Sequence, residues 1–287
     1  MKAIYERETK AHFNGIVAFA FIAFLMLFVG IFTTMLNLLS LYPNFEYSIN
    51  SISFIFMIVI PVLTMRTIAD ERKQKTDQLL YSLPVSLAEV VIGKYLALLT
   101  VLIVPIGIMC FYPLILSLFG EVMIGAAYGT ILAFFLLGAT LLSMGLFVSA
   151  LTDNQAMAAV LCFIIMLVNF YLSDLSVQVP GTANASLFAL AVVVLLLGLV
   201  VKNLTQSSFA GVVAVVIGEG ILCIVRLAVP SALEGLFANI MKQLSVYERF
   251  YSFVAGEFDL AAIVYFITVI AVFLFLTVQT MEKRRWS

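Results

Sequence analysis

Two groups of residues in this sequence have the types and spacing to do chemistry. The first lies between Met65 and Lys94, which reads MRTIADERKQKTDQLLYSLPVSLAEVVIGK. Glu71, Arg72, Lys73, Lys75 and Asp77 stand there too densely for lipid, since charges at membrane depth are costly and rare. The second group is Glu219 with Arg226, inside an otherwise apolar run from 203 to 229. On one helix the two stand two turns apart on the same face, about 10 Å by helical rise. Two readings are open. Either they form a polar lining or a charge pair across spans, or Arg226 snorkels to the headgroups while Glu219 is neutral and hydrogen-bonded by neighbours. Gly218 and Gly220, on either side of Glu219, permit close backbone approach or a local break.

Several chemistries are excluded. A phosphate cradle for a nucleotide needs G-x-x-x-x-G-K-[ST]. The chain's Gly-Lys pair, Gly93-Lys94, has Ala88 at the first glycine position and Tyr95 after the lysine. Hydrolysis of a nucleotide must therefore come from another chain. His12 is the sole histidine and lies near the N-terminus, so zinc and histidine-based nucleophile patterns fail; it reads as structural. An intramembrane enzyme would have only Glu219 and Arg226 to work with. Cys110, Cys162 and Cys223 all fall in apolar runs and are expected to be free, buried thiols. The net charge of −1 provides no basic field for nucleic acid.

The elements that must position these residues are membrane helices. The chain is 64% hydrophobic and 11% charged over 287 residues, whereas soluble domains run near 45–50% and about 25%. The fold class is all-α, a polytopic transmembrane bundle of six to eight spans. Runs of the ~20 apolar residues that a span needs occur at 15–39, 47–65, 95–120, 122–152, 154–173, 175–201, 203–225 and 261–281. The first is too long for the ~7–15-residue core of a cleaved signal. The runs at 175–201 and 203–225 are separated only by Lys202-Asn203 and could instead be a re-entrant pair. With both termini cytoplasmic, all of the 15 basic residues but Lys242, Arg249 and Arg226 fall in inside segments, as the positive-inside rule demands. Asp153 and Asp174 mark span ends. Gly125 and Gly129 form a small-residue motif for tight helix packing, within the chain or between two copies, and Pro61, Pro105 and Pro113 are expected to kink their helices.

Three polar segments flank the spans of this single membrane domain: 1–14, 66–94 and 230–259. In the last, Leu233, Leu236, Phe237, Ile240 and Leu244 form a helical stripe. It reads as an amphipathic helix, either on the outer membrane surface or packed on neighbouring spans. In the 66–94 segment, Leu79, Leu80 and Leu83 give a short apolar face that Pro84 stops. Ser86 with Glu89 is a capping box that restarts a helix. The product is a helix, a break and a restart between two spans. It is either an ordinary charged loop or an element that takes force from a soluble partner.

The stretch Pro61 to Arg66, then Ala69 to Arg72, Thr76, Leu79-Leu80, Ser82 to Val85 and Gly93-Lys94 resembles the coupling segment of type-2 ATP-binding-cassette permeases, closest to the gliding-motility-type subfamily. Met1 to Phe32, with Glu8 and Phe13, and Phe250 to Trp286 are similar to the same family, in the same order. The resemblance implies a permease without catalytic or metal residues, bound to two copies of an ATPase subunit that carries ATP and Mg²⁺. It implies a second permease copy, as homodimer or heterodimer, and an exporter in a prokaryotic plasma membrane. An ATPase-linked anchor of an assembly or motility complex is the alternative. The ATPase-coupling residues would be Glu71, Arg72, Thr76, Leu79, Leu80, Pro84, Gly93 and Lys94. Segment 1–14 would lie along the inner surface as an interfacial helix, its Glu6, Arg7, Glu8 and Lys10 facing water or the ATPase. The family usually has glycine where this chain has Lys75, and a more regular helix is expected there. It also usually has six spans, so 175–225 would be an inserted pair.

Overall fold

The computed structural model describes residues 1–75, 86–205, 207–228 and 230–285. Every regular element among them is a helix. That is the outcome lipid enforces, because backbone N–H and C=O groups must then be satisfied within each segment. Seven described helices are long and apolar enough to cross a membrane, and Ala183–Leu199 is a shorter apolar stretch. The chain divides into two compact units, 1–170 with 249–287, and 171–248.

In the first unit, α1 (Lys2–Asn14) ends at Gly15, where the backbone turns extended. α2 (Ile16–Phe32) continues into a π-helical turn, Thr33–Leu39. Asn37 ties the loop beyond it, donating to the carbonyls of Tyr42 at 2.7 Å and Asn44 at 3.2 Å and accepting from Ser48 at 2.6 Å. α3 (Phe45–Ile52) and α4 (Phe56–Thr64) form the second crossing, followed by the short α5 (Ala69–Lys73). α6 (Leu87–Met109) begins at Ser86, whose side chain accepts the Glu89 N–H at 3.3 Å. The chain breaks at Cys110 before α7 (Phe111–Leu116), with Pro105 inside α6 and Pro113 in the first turn of α7.

The core of this unit is α8 (Ile124–Leu151), whose most apolar stretch is 78% buried. α4, α6 and the final helix α14 (Leu260–Arg285) pack on it. Phe56 stacks on Phe134 with centroids 4.4 Å apart. Gly138 and Gly145 make the approach close: a Cβ on Gly138 would sit 2.9 Å from Leu102, and one on Gly145 would sit 2.5 Å from the Thr64 hydroxyl. Gly125 and Gly129, by contrast, have open space around them. The tight contact expected of that motif is made within the chain by the two glycines further along.

α9 (Gln155–Gln178) and α13 (Val246–Val254) run across the boundary between the units. The second unit is built on a hairpin of α10 (Ala183–Thr205) and α11 (Ser208–Ala228). Its two arms are in glycine-mediated contact, since a Cβ on Gly211 would meet the Lys202 side chain at 2.7 Å and one on Gly218 would meet Val194 at 2.5 Å. The runs at 175–201 and 203–225 correspond to helices of 23 and 21 residues. α12 (Leu236–Leu244) follows, its amphipathic pattern as expected from the apolar stripe.

Two expectations fail. Lys75 does not continue a regular helix: its φ is +57, the left-handed conformation glycine adopts at no steric cost. Lys75 therefore keeps the backbone geometry that the usual glycine would provide. Of the cysteines, all free, only Cys162 is buried; Cys110 is half-buried and Cys223 is exposed on α11, whose most apolar stretch is only 6% buried. An apolar residue type does not imply burial in protein where lipid is the solvent.

Candidate functional site

The polar residues of α1, α5 and the first turns of α6 converge. α1 lies across α6 because Gly93 has no side chain: a Cβ there would be 3.1 Å from Ile4 Cγ2. Ile4 and Val90 bury each other at this crossing, and Tyr5 Oη is 3.0 Å from Thr100 Oγ1. One residue on, Lys94 is fully buried. Its ammonium has three donors and three partners: Glu71 Oε1 at 2.8 Å, Glu8 Oε1 at 3.2 Å and the Thr67 carbonyl at 3.0 Å. Arg7 completes the cluster, with Nη2 at 2.5 Å from Glu8 Oε1 and 3.1 Å from Glu71 Oε1.

The cluster of Arg7, Glu8, Glu71 and Lys94 holds two cations and two carboxylates and is neutral as a whole. A buried lysine is tolerated only when paired and hydrogen-bonded. Burial pushes the Glu8 carboxyl up, but the charge of Lys94 and the hydrogen bond and charge of Arg7 outweigh it, and Glu8 sits below the usual carboxylate range. Burial also lowers His12, with Lys94 adding to the effect and Glu8 opposing it. A cavity of about 290 Å³ adjoins the cluster, lined by Glu8, His12, Arg66, Asp70, Glu71 and Lys94 among others. Glu8 was expected to face water or a partner; it is 9% exposed and faces the cluster instead, where Lys94 and Arg7 both bond its carboxylate. Glu6 does remain at the surface, 3.8 Å from Lys2.

A second set of bonds fixes α5 to the end of α8. Ser149 Oγ accepts the N–H groups of Ile68 at 3.2 Å and Ala69 at 3.1 Å, which are among the orphan donors of a helix start. The buried Arg72 donates to the carbonyl of Ala150 and lies 3.8 Å from Asp153. Arg284 bonds Asp153 at 2.6 Å and the Leu151 carbonyl at 2.6 Å. Two guanidinium groups thus meet the unsatisfied carbonyls at the C-terminus of α8, where positive charge is also favoured by the helix dipole. Gln155 donates to Asp70. Asp153, read as a mere span marker, is therefore a hub. Ser149 and Gln155 carry no sequence signal except that each is polar beside a span end, and Asp70 and Arg284 fall in the resembling stretches without being singled out.

Of the residues expected to couple to an ATPase, the structure brings Glu71, Gly93 and Lys94 together with Arg7 and Glu8, while Arg72 turns to the end of α8. Thr76, Leu79, Leu80 and Pro84 lie outside the described residues. Glu219 and Arg226 do not form an ion pair; Arg226 donates to Asn184 Oδ1 at 2.7 Å, on the neighbouring helix α10.

The family model described as ABC-2 family transporter protein matches residues 37–278. No curated protein matches the chain. The matched region takes in α3 to α13 and most of α14, hence α5, the start of α6 and the fixed end of α8. This chain belongs to the ABC-2 family transporter proteins, the membrane permease class of ATP-binding-cassette systems.

Proposed function

We propose that the chain is the permease of an exporter driven by separate ATPase subunits, which hold ATP and Mg²⁺ and push on the segment from Glu71 to Pro84. The observation that carries this reading is the buried neutral cluster of Arg7, Glu8, Glu71 and Lys94. It joins three elements at the polar end of the bundle, so that force on α5 is delivered at once to α1, α6 and, through Arg72 and Ser149, to α8. A charged loop without a mechanical role has no need of a fully buried lysine at its root. The same reading places both termini on the cytoplasmic side of a prokaryotic plasma membrane, pairs the permease with a second copy and two ATPase subunits, and extends the family to its gliding-motility-type branch. Outward transport accords with that branch, and the family match favours transport over a passive anchor.

Cysteines placed at Leu79 and Leu80, in the permease co-purified with an ATP-binding-cassette ATPase, test the docking. Both should cross-link to the ATPase in membrane vesicles, and Lys94→Met should lower permease-stimulated ATP hydrolysis while the complex persists. Failure of both positions to cross-link in a hydrolysing preparation refutes the assignment.

A further inference from the structure

A groove of about 360 Å³ runs along the outside of the first unit between α2 and α4. Phe24 and Ile58 line one end, Ile16 and Arg66 the other, with Val62 between. Its length, from Ile58 to Arg66, is about 12 Å by helical rise. The lining side chains are apolar and open: Ile16 is 84% exposed, Val62 46% and Ile58 42%. The Arg66 end lies at the membrane boundary by two independent markers. Ile16 directly follows the polar helix α1, and Arg66 directly precedes the charged α5. This puts the guanidinium at headgroup depth whichever face of the membrane it occupies.

Arg66 is exposed, and no hydrogen bond or ion pair to it occurs among the described residues. The nearby acids are committed elsewhere: Glu8 and Glu71 to Lys94 and Arg7, Asp70 to Gln74 at 3.1 Å and to Gln155. An arginine in this position presents a planar fork matched to phosphate oxygens. We propose that the α2–α4 groove is a binding site for an anionic diacyl phospholipid, with the headgroup phosphate on Arg66 and one acyl chain along Val62 and Ile58. The apolar length selects a lipid over a free anion. The site does not depend on the ATPase-coupled reading above, because lipid binding is read without nucleotide or partner.

The test uses the full chain, purified in detergent and presented with equal amounts of phosphatidylglycerol and phosphatidylcholine of identical chains, with native mass spectrometry counting retained lipid. One basic group near an anionic surface predicts about a fivefold preference for phosphatidylglycerol. Arg66→Gln should bring the ratio close to one, Arg66→Lys should keep most of it, and Lys283→Gln should leave it unchanged. Val62→Trp, which fills the groove, should reduce retention of both lipids. Circular dichroism melts verify that each variant is folded; if Arg66→Gln is not, Arg66→Lys and Val62→Trp decide. An equal ratio in the wild type, a ratio unmoved by Arg66→Gln, or retention unmoved by Val62→Trp overturns the proposal. Displacement by millimolar glycerol phosphate would make it a soluble-anion site, and a change in oligomeric mass on Val62→Trp would make the occupant protein; either also overturns it.

Discussion

Replacing Lys94 by Met keeps the length and apolar stem of the side chain and removes its charge. Glu71 then loses a contact of 2.8 Å, Glu8 one of 3.2 Å, and the Thr67 carbonyl its donor at 3.0 Å. Both carboxylates are largely shielded, with side chains 19% and 11% exposed, so water offsets little of the loss. Removing one member of a buried pair costs about 3–5 kcal/mol. The lower end applies here, because Arg7 still bonds both carboxylates; we expect about 3 kcal/mol. The two acids are then left sharing a single cation, so removing one of them as well should recover stability. Lys94→Met with Glu8→Gln should be less destabilised than the sum of the single changes, with a coupling of about 0.5–3 kcal/mol, the range found for residues in one network. Equilibrium unfolding in mixed micelles, followed by circular dichroism across the cycle, measures both quantities. A Lys94→Met protein within about 0.5 kcal/mol of the wild type, the range of a neutral surface change, or a strictly additive cycle, would refute the claim that this cluster holds α1, α5 and α6 together.

Other consequences can be read in the same assay. Gly93→Val should overpack the α1–α6 crossing by about 1–3 kcal/mol, and Ile4→Ala should recover part of it; labelling of a cysteine in α1 reports whether that helix has lifted. Lys75→Gly should be stabilising by about 1 kcal/mol, the cost of a left-handed non-glycine residue, because Lys75 is exposed at φ +57. Ser149→Ala should cost about 0.5–2 kcal/mol, as loss of a helix-start acceptor does, and a Cys or Thr at 149 should cost less than Ala. The pH dependence follows from two lowered groups. Glu8 binds protons less readily folded than unfolded, so its contribution is whole above its ordinary value of 4.5 and is lost as pH falls through the lowered folded value. His12 is also lowered, so its penalty begins as pH drops below 6.5. Glu8→Gln should abolish the acid-limb loss attributable to Glu8 while His12→Asn removes the one that starts nearer neutrality; unfolding midpoints from about pH 2 to 8 separate them.

What the sequence made legible follows one rule: local signals survived and non-local pairings did not. The helical class and most span positions are set by composition and run length; the class holds, and seven of the eight runs are helices long enough to span, while the run at 175–201 gives its first residues to the preceding helix and leaves a shorter apolar stretch, Ala183–Leu199. The start of α6 at Ser86 was readable because a capping box is contained within four residues. Lys75 misled because helix propensity speaks for Lys over Gly, while the turn after α5 demands a left-handed residue. Glu8, Glu71 and Lys94 were each singled out, but as separate surface contacts. Their convergence depends on α1 folding back across α6, which only the missing side chain of Gly93 hints at. Arg284 and Asp153 lie at opposite ends of the chain's second half, and nothing local to either announces a bond between them.

The two polar sites at this end of the bundle differ in what they fix. The Lys94 cluster joins α1, α5 and α6 through charged side chains, beside the apolar contact of Ile4 with Val90 and the hydrogen bond between Tyr5 and Thr100. The Arg72, Ser149 and Arg284 bonds instead hold backbone groups at one helix terminus, the end of the most buried helix in the unit. A push on α5 therefore has a stiff path into α8, where Gly138 and Gly145 put α4 and α6 in direct contact with it. It has a softer path into α1, through charged side chains. Motion of α5 should then carry α8 with little lag while α1 is able to pivot about Gly93, which places the first relative movement at the α1–α6 crossing rather than in the core.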